Sequence, residues 1–151
     1  MQRINEDLRS GQFKQAYLLY GEEAYLRRQY RDRLKKALLG DGDAMNMNCF
    51  EGKDINVGEV IDVAETMPFF ADRRVIVMDG TGLFKSGGEK LAEYIAGLKD
   101  SGSQTYFVFC ESEVDKRSRL FKQVQQTGYI CEMKQQDDQT LKRWAAGVLK
   151  Q

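Results

Sequence analysis

The sequence contains no histidine among its 151 residues. This absence removes the commonest general base and the commonest metal ligand of proteins. It also excludes Ser-His-Asp and Cys-His catalysis outright, because both mechanisms take the proton with an imidazole. We therefore assign no catalytic residue and no metal ligand to this chain.

Cysteine, net charge and long apolar runs are also scarce. Cys49, Cys110 and Cys131 are odd in number and lie far apart in apolar runs, which favours reduced, buried thiols over a disulfide framework or a metal site. Lys and Arg number 23, as do Asp and Glu, so no global basic field points to nucleic acid. No apolar run approaches the roughly 20 residues of a membrane span, and the first residues lack a signal-peptide core. We expect a cytoplasmic protein without a membrane partner.

Strand-like apolar runs alternate with segments of helical periodicity along the whole chain. This alternation predicts an α/β fold with a parallel five-stranded sheet and helices on both faces. The predicted strands are residues 16–20, 45–50, 73–79, 105–110 and 129–133, and the predicted helices are residues 4–12, 22–39, 57–66, 89–99, 115–126 and 138–150.

The turn after the first strand is where a nucleotide-binding α/β protein keeps its phosphate loop. Such a loop needs several glycines, a lysine for the phosphates and a Ser or Thr for magnesium. Here the turn reads Gly21-Glu22-Glu23, and its carboxylates would repel phosphate. We predict that it does not bind ATP and that the chain holds no cofactor. Asp79-Gly80 after the third strand resembles a magnesium-binding acid, but without a phosphate loop it is more typical of a turn.

The junction between the third predicted helix and the third strand carries unusual residues. Pro68 is the only proline of the chain, and the adjacent rings of Phe69 and Phe70 follow it. Proline should end the helix. Two rings at such a junction either plug the core between helix and strand or present at least one ring to a protein partner.

A basic group follows the fourth predicted strand. It comprises Lys116, Arg117, Arg119 and Lys122, and Asp115 is placed to cap the next helix. Such a group is typical of a solvated helix face, and a contact with DNA or a partner is the alternative.

Four stretches in this order resemble one family. They are residues 17–26, 66–77, 106–110 followed by 114–122, and 131–133 leading into 141–144. In them the chain resembles the N-terminal domain of the delta subunits of bacterial DNA polymerase III, which belong to the sliding-clamp loader. The resemblance implies an AAA+/P-loop NTPase-like domain that lacks a functional phosphate loop and does not hydrolyse ATP, although it serves a nucleotidyltransferase complex.

The same resemblance implies a role in DNA replication. Such a domain binds the sliding clamp, the beta subunit, and opens it. The clamp-contacting wedge falls on Met67, Pro68, Phe69 and Phe70, although family members often carry leucine where this chain has Phe69. Residues 1–137 would form the clamp-binding domain and residues 138–151 the first helix of a truncated lid domain. Other loader subunits and primed DNA would be partners of the full-length protein.

Two alternatives stay open beside this interpretation. A P-loop-type nucleotide-binding enzyme would need an ATP site that the sequence does not supply. A generic α/β protein-interaction domain would keep Phe69 and Phe70 in its core, and alanine substitution would then lower its stability.

Overall fold

A computed structural model describes residues 2–40, 46–66, 73–98 and 103–133. Met67, Pro68, Phe69 and Phe70 lie outside the described residues, as does the predicted helix at residues 138–150. The strands are β1 Ala16–Tyr20, β2 Met47–Glu51, β3 Arg74–Asp79, β4 Thr105–Glu111 and β5 Tyr129–Glu132. The helices are α1 Gln2–Ser10, α2 Ala24–Leu39, α3 Val57–Ala64, α4 Glu89–Ala96 and α5 Arg119–Thr127.

The five strands form one parallel sheet in the order β2-β3-β4-β1-β5. Leu18 in β1 lies opposite Phe109 in β4 on one side and Ile130 in β5 on the other. The interior strand β1 is completely buried because it has a neighbouring strand on each side and helices on both faces. The predicted α/β fold with a parallel five-stranded sheet is confirmed.

Alternate residues of each strand enter two separate apolar layers, because successive side chains of a strand point to opposite faces. Tyr17 and Leu19 pack with Leu34 of α2 and with α1, whereas Leu18 packs with α3, α4 and α5 on the other face. The second layer is rich in aromatic rings: Phe109 meets Phe84 edge to face at 5.0 Å and stacks on Phe107 at 5.6 Å. The prediction of helices on both faces is therefore confirmed.

Two helices begin later than the sequence pattern predicts. α2 starts at Ala24, since the backbone of Gly21 and Glu23 is hydrogen-bonded to the sheet. α5 starts at Arg119 and is capped by Ser118, whose Oγ accepts the N–H of Phe121 at 3.2 Å. The prediction that Asp115 caps this helix was wrong. Its carboxylate accepts the N–H of Arg117 at 2.9 Å and closes a turn before the helix.

The cysteine prediction was correct for two of the three thiols. Cys110 and Cys131 are free and buried, in β4 and β5. Cys49 is also free, but it is exposed. Its strand, β2, lies at the edge of the sheet, where an apolar run does not guarantee a covering layer. Period-two patterning cannot tell an edge strand from a central one, and the error follows from that limit.

Candidate functional site

The carboxyl ends of β1 and β4 border a crevice. These strands are neighbours, but the helices that follow them, α2 and α5, pack on opposite faces of the sheet. Open α/β sheets bind ligands at such a switch point. A cavity of about 610 Å³ lies here, lined by Tyr20, Gly21, Glu22, Lys85, Ser112, Glu113, Val114, Glu132 and Met133.

Two backbone amides of the turn after β1, those of Gly21 and Glu23, are already hydrogen-bonded within the protein. The N–H of Gly21 donates to the carbonyl of Glu111 at 3.2 Å, and the N–H of Glu23 donates to the carbonyl of Met133 at 3.1 Å. Gly21 has a φ of 126°, and a Cβ placed there would collide with the carbonyl of Met133. A phosphate-binding loop offers its amides to the ligand, whereas these amides point at the carbonyls of neighbouring strands.

The charges around the crevice also differ from those of a phosphate site. Glu22 is exposed in the turn before α2. Glu113 accepts a hydrogen bond from Lys85 at 2.5 Å, and this lysine lowers the pKa of the Glu113 carboxyl. The ammonium group of Lys116 lies 6.0 Å from the ring centre of Tyr20. The lining of the crevice therefore combines acidic side chains with Lys85, which is already paired with Glu113.

Asp79 serves a structural contact at the end of β3. Its carboxylate pairs with the guanidinium of Arg31 on α2, and Gly80 follows with a φ of 63°. The turn predicted for Asp79-Gly80 is therefore confirmed. This ion pair links α2 to the end of β3.

Glu111, at the end of β4, was not singled out from the sequence. Its carboxylate accepts the backbone N–H of Thr81 at 3.0 Å and the hydroxyl of Thr81 at 2.8 Å. The side chain is buried, and burial raises the pKa of its carboxyl. A glutamate that directly continues the apolar run of β4 was the signal that could have revealed it. The buried carboxylate fixes the loop after β3 against the end of β4.

The structure describes the residues on both sides of the clamp-contact residues that the resemblance predicts. Before them, Asn56 caps α3 by accepting the N–H of Glu59 at 3.3 Å, and the hydroxyl of Thr105 donates to the carbonyl of Ala64 at 2.6 Å. After them, the guanidinium of Arg73 stands 5.0 Å from the ring centre of Phe13 and donates to the carbonyl of Leu38 at 3.3 Å. Both flanks are thus tied to the sheet or to α2.

The basic group after β4 lies on the surface. Lys116, Arg117, Arg119 and Lys122 are all exposed. Arg117 pairs with Asp115 at 3.3 Å, and Arg119 approaches Glu93 of α4 at 3.8 Å. Exposed pairs of this kind contribute little to stability. Arg117 and Arg119 line a cavity of about 380 Å³ between the starts of α4 and α5, whereas Lys116 and Lys122 are not among its lining residues.

Two negative observations concern only the described part of the chain. In it, no three His, Cys, Asp or Glu side chains are grouped so that they could hold a metal ion. Nor does any helix within the described ranges have both the length and the apolar character needed to cross a membrane.

Comparisons with known proteins identify relatives of the chain. It is 25% identical over 141 residues to the DNA polymerase III subunit delta of Bacillus subtilis, covering 86% of this chain and 40% of that protein. The solved Bacillus subtilis DNA clamp loader delta protein superimposes with a TM-score of 0.79 at 20% identity, covering 99% of this chain and 47% of that chain.

More distant structures share the fold. A DNA polymerase III gamma subunit-related protein from Thermotoga maritima gives a TM-score of 0.60 at 11% identity, covering 89% of this chain and 47% of that one. A Thermotoga maritima RuvB variant gives 0.50 at 13% identity, covering 86% of this chain and 41% of that one. The fold is therefore of the AAA+ type. The family model described as DNA polymerase III, delta subunit, matches residues 17–134, and the chain belongs to that family.

Proposed function

We propose that this chain binds the sliding clamp of DNA replication and opens it, without hydrolysing ATP. The observation that carries the proposal is the match of residues 17–134 to the delta-subunit family. The chain spans 40% of the Bacillus subtilis relative, so this role is assigned to a part of a clamp-loader subunit. Other loader subunits, and primed DNA held by the assembled complex, are the further partners that we propose for the full-length protein, in the cytoplasm.

The proposed contact with the clamp is made by Met67, Pro68, Phe69 and Phe70. Two phenylalanine rings bury roughly 150–250 Å² each when they enter an apolar groove, and such anchors dominate interface energies. Pro68 restricts the chain before binding, which reduces the ordering cost. Opening the ring then requires only that the domain bind the open interface of the clamp more tightly than the closed one.

The first experiment measures binding to the sliding clamp of the same organism by surface plasmon resonance. We expect each of Phe69→Ala and Phe70→Ala to lose about 2–4 kcal/mol of binding free energy. Tyr25→Ala is the matched control, because Tyr25 is an exposed aromatic residue, 56% accessible, on α2. Normal binding by both phenylalanine variants, with circular dichroism showing folded protein, would contradict the wedge assignment.

The non-catalytic part of the proposal is supported by the engaged amides of Gly21 and Glu23. A protein that binds a ligand only in its folded state melts at a higher temperature when the ligand is present. We expect no shift in melting temperature on adding ATP with magnesium. A shift that depends on nucleotide concentration would favour the P-loop enzyme instead.

We further propose that Lys116, Arg117, Arg119 and Lys122 contact DNA or a neighbouring subunit in the assembled loader. The exposure of all four side chains, and the position of Arg117 and Arg119 at the second cavity, support this role. We expect Lys116→Glu/Lys122→Glu to weaken salt-dependent DNA binding by the assembled loader, and Lys90→Glu on α4 to serve as control. An unchanged affinity for DNA together with normal assembly of the loader would show that these four side chains only face solvent.

The proposed domain division places the clamp-binding domain in residues 1–137 and the first helix of a lid domain in residues 138–151. Limited proteolysis of the full-length protein tests this boundary. Cleavage concentrated near residue 137 is expected, because exposed connections between domains are preferred cleavage sites.

A further inference from the structure

Arg74 is the only lysine or arginine that is buried among the residues that the structure describes, with 6% of its surface exposed. It is the first residue of β3. A buried cation is costly unless its donors are satisfied. Its contacts therefore show what the charge is used for.

The guanidinium joins β3 to the residues just past the end of α3 and to the neighbouring strand β2. Its Nε donates to the carbonyl of Thr66, just past the end of α3, at 2.8 Å. Its Nη1 donates to the Oδ1 of Asn48 in β2 at 3.0 Å. The backbone N–H of Arg74 donates to the carbonyl of Gln104, next to β4, at 3.0 Å. The rigid fork of an arginine can hold two acceptors in fixed directions, which the single ammonium group of a lysine cannot do in the same way.

These contacts lie at both ends of one connection. Thr66 is the described residue before residues 67–72, and β3 begins at Arg74 after them. The bond from Arg74 to Thr66 therefore fixes the distance between the point where the chain leaves α3 and the point where it enters the sheet. The bond from Thr105 to the carbonyl of Ala64 holds the end of α3 at the end of the sheet where β3 and β4 begin.

We propose that Arg74 is a positioning residue for clamp binding: it holds the two ends of the α3–β3 connection together so that the proposed contact residues are presented in a binding-competent arrangement. This inference rests on the proposed function. Arg74 acts through Thr66 and needs no contact with the clamp, since its own guanidinium is buried and hydrogen-bonded.

The experiment compares Arg74→Met and Arg74→Lys with the wild type. Methionine keeps an apolar stem without donors, whereas lysine keeps the charge without the fork. Tyr17→Phe is the stability-matched control, because it removes a buried hydrogen bond to Asp7 that lies on the opposite face of the sheet. Three quantities are measured: the Kd for the clamp, the melting temperature, and the rate of chymotrypsin cleavage after Phe69 and Phe70, identified by mass spectrometry.

We expect Arg74→Met to bind the clamp roughly tenfold more weakly or worse, a change of about 1.4 kcal/mol, and to be cleaved at least about threefold faster at these sites, a ratio set by the larger open fraction. Arg74→Lys should fall between Arg74→Met and the wild type. Tyr17→Phe should melt at a lower temperature with an unchanged Kd. Unchanged binding and cleavage in both Arg74 variants, or a loss of binding in Tyr17→Phe that matches its fall in stability, would overturn the inference.

The two proposals fail in distinguishable ways. If the wild type does not bind the clamp, the proposed function fails. The rate of chymotrypsin cleavage then tests by itself whether Arg74 holds the α3–β3 connection. Faster cleavage in the folded Arg74→Lys variant still supports its hold on the connection, and unchanged cleavage refutes it. If Arg74→Met does not fold, the same comparison is made with Arg74→Lys alone.

Discussion

Gly21→Ala is the substitution that most directly tests how the first turn is built. Gly21 has a φ of 126°, a region essentially restricted to glycine, and its missing Cβ leaves the space taken by the carbonyl of Met133. The backbone conformation should cost alanine about 1–3 kcal/mol. Displacing the carbonyl of Met133 should cost about 1–3 kcal/mol more, because that oxygen also accepts the N–H of Glu23.

The chain provides a matched control for this substitution. Gly11 also has a positive φ, of 76°, but a Cβ there would meet nothing within 4 Å. Gly11→Ala should therefore cost only the conformational part, about 1–2 kcal/mol. Comparing the two glycines separates the steric contribution from the backbone contribution.

Thermal unfolding followed by circular dichroism measures both effects. For a chain of this size, 1 kcal/mol lowers the melting temperature by about 2–4 °C. Gly21→Ala should then melt roughly 4–24 °C below the wild type, and Gly11→Ala about 2–8 °C below it. Faster hydrogen exchange at the amide of Glu23 should accompany the larger change. Equal losses in the two variants would refute the packing of the turn against Met133.

Three further predictions concern groups away from this turn. Tyr17→Phe removes a buried 2.6 Å hydrogen bond to the carboxylate of Asp7, and urea unfolding should show a loss of about 1–3 kcal/mol. Burial raises the pKa of Glu111 above 4.5, so its contribution to the free energy of unfolding should fall as pH rises from about 4.5 through the folded-state pKa. Thermal melts across pH 4.5–7 should show this fall in stability for the wild type, and the fall should be absent in Glu111→Gln. Cys49 is exposed and the other two thiols are buried, so one thiol per native chain should react rapidly with a disulfide reagent, and three only after unfolding.

The alternation of strands and helices could be predicted because each segment carries its own apolar periodicity. Leu26, Tyr30, Leu34 and Leu38 mark the buried face of α2 in the sequence, and all four are buried in the structure. The same local signal placed β1 at its observed bounds. The resemblance to the delta-subunit family likewise depended on short stretches that are legible in order along the chain.

Details that depend on neighbours distant in sequence could not be predicted. Both Asp115 and Ser118 are good capping residues. Ser118 caps the helix because the turn before it is held by a hydrogen bond from the N–H of Asp115 to the carbonyl of Phe84. The exposure of Cys49 follows from the edge position of β2, which its own residues do not encode. Glu111 and Arg74 look like ordinary charged strand ends until their buried acceptors and donors are known.

The sequence by itself determined the class of fold, the absence of imidazole chemistry and the lack of a glycine-rich phosphate loop, because each of these depends on residue types and their local spacing. Only the tertiary structure decided that β1 lies between β4 and β5, that the amide of Gly21 bonds to the end of β4, and that the amide of Glu23 bonds to Met133 just after β5. Only the tertiary structure showed that Arg74 joins the two ends of the α3–β3 connection. Strand order and buried hydrogen bonds arise from packing between segments far apart in the chain, and no local periodicity records which segments will meet.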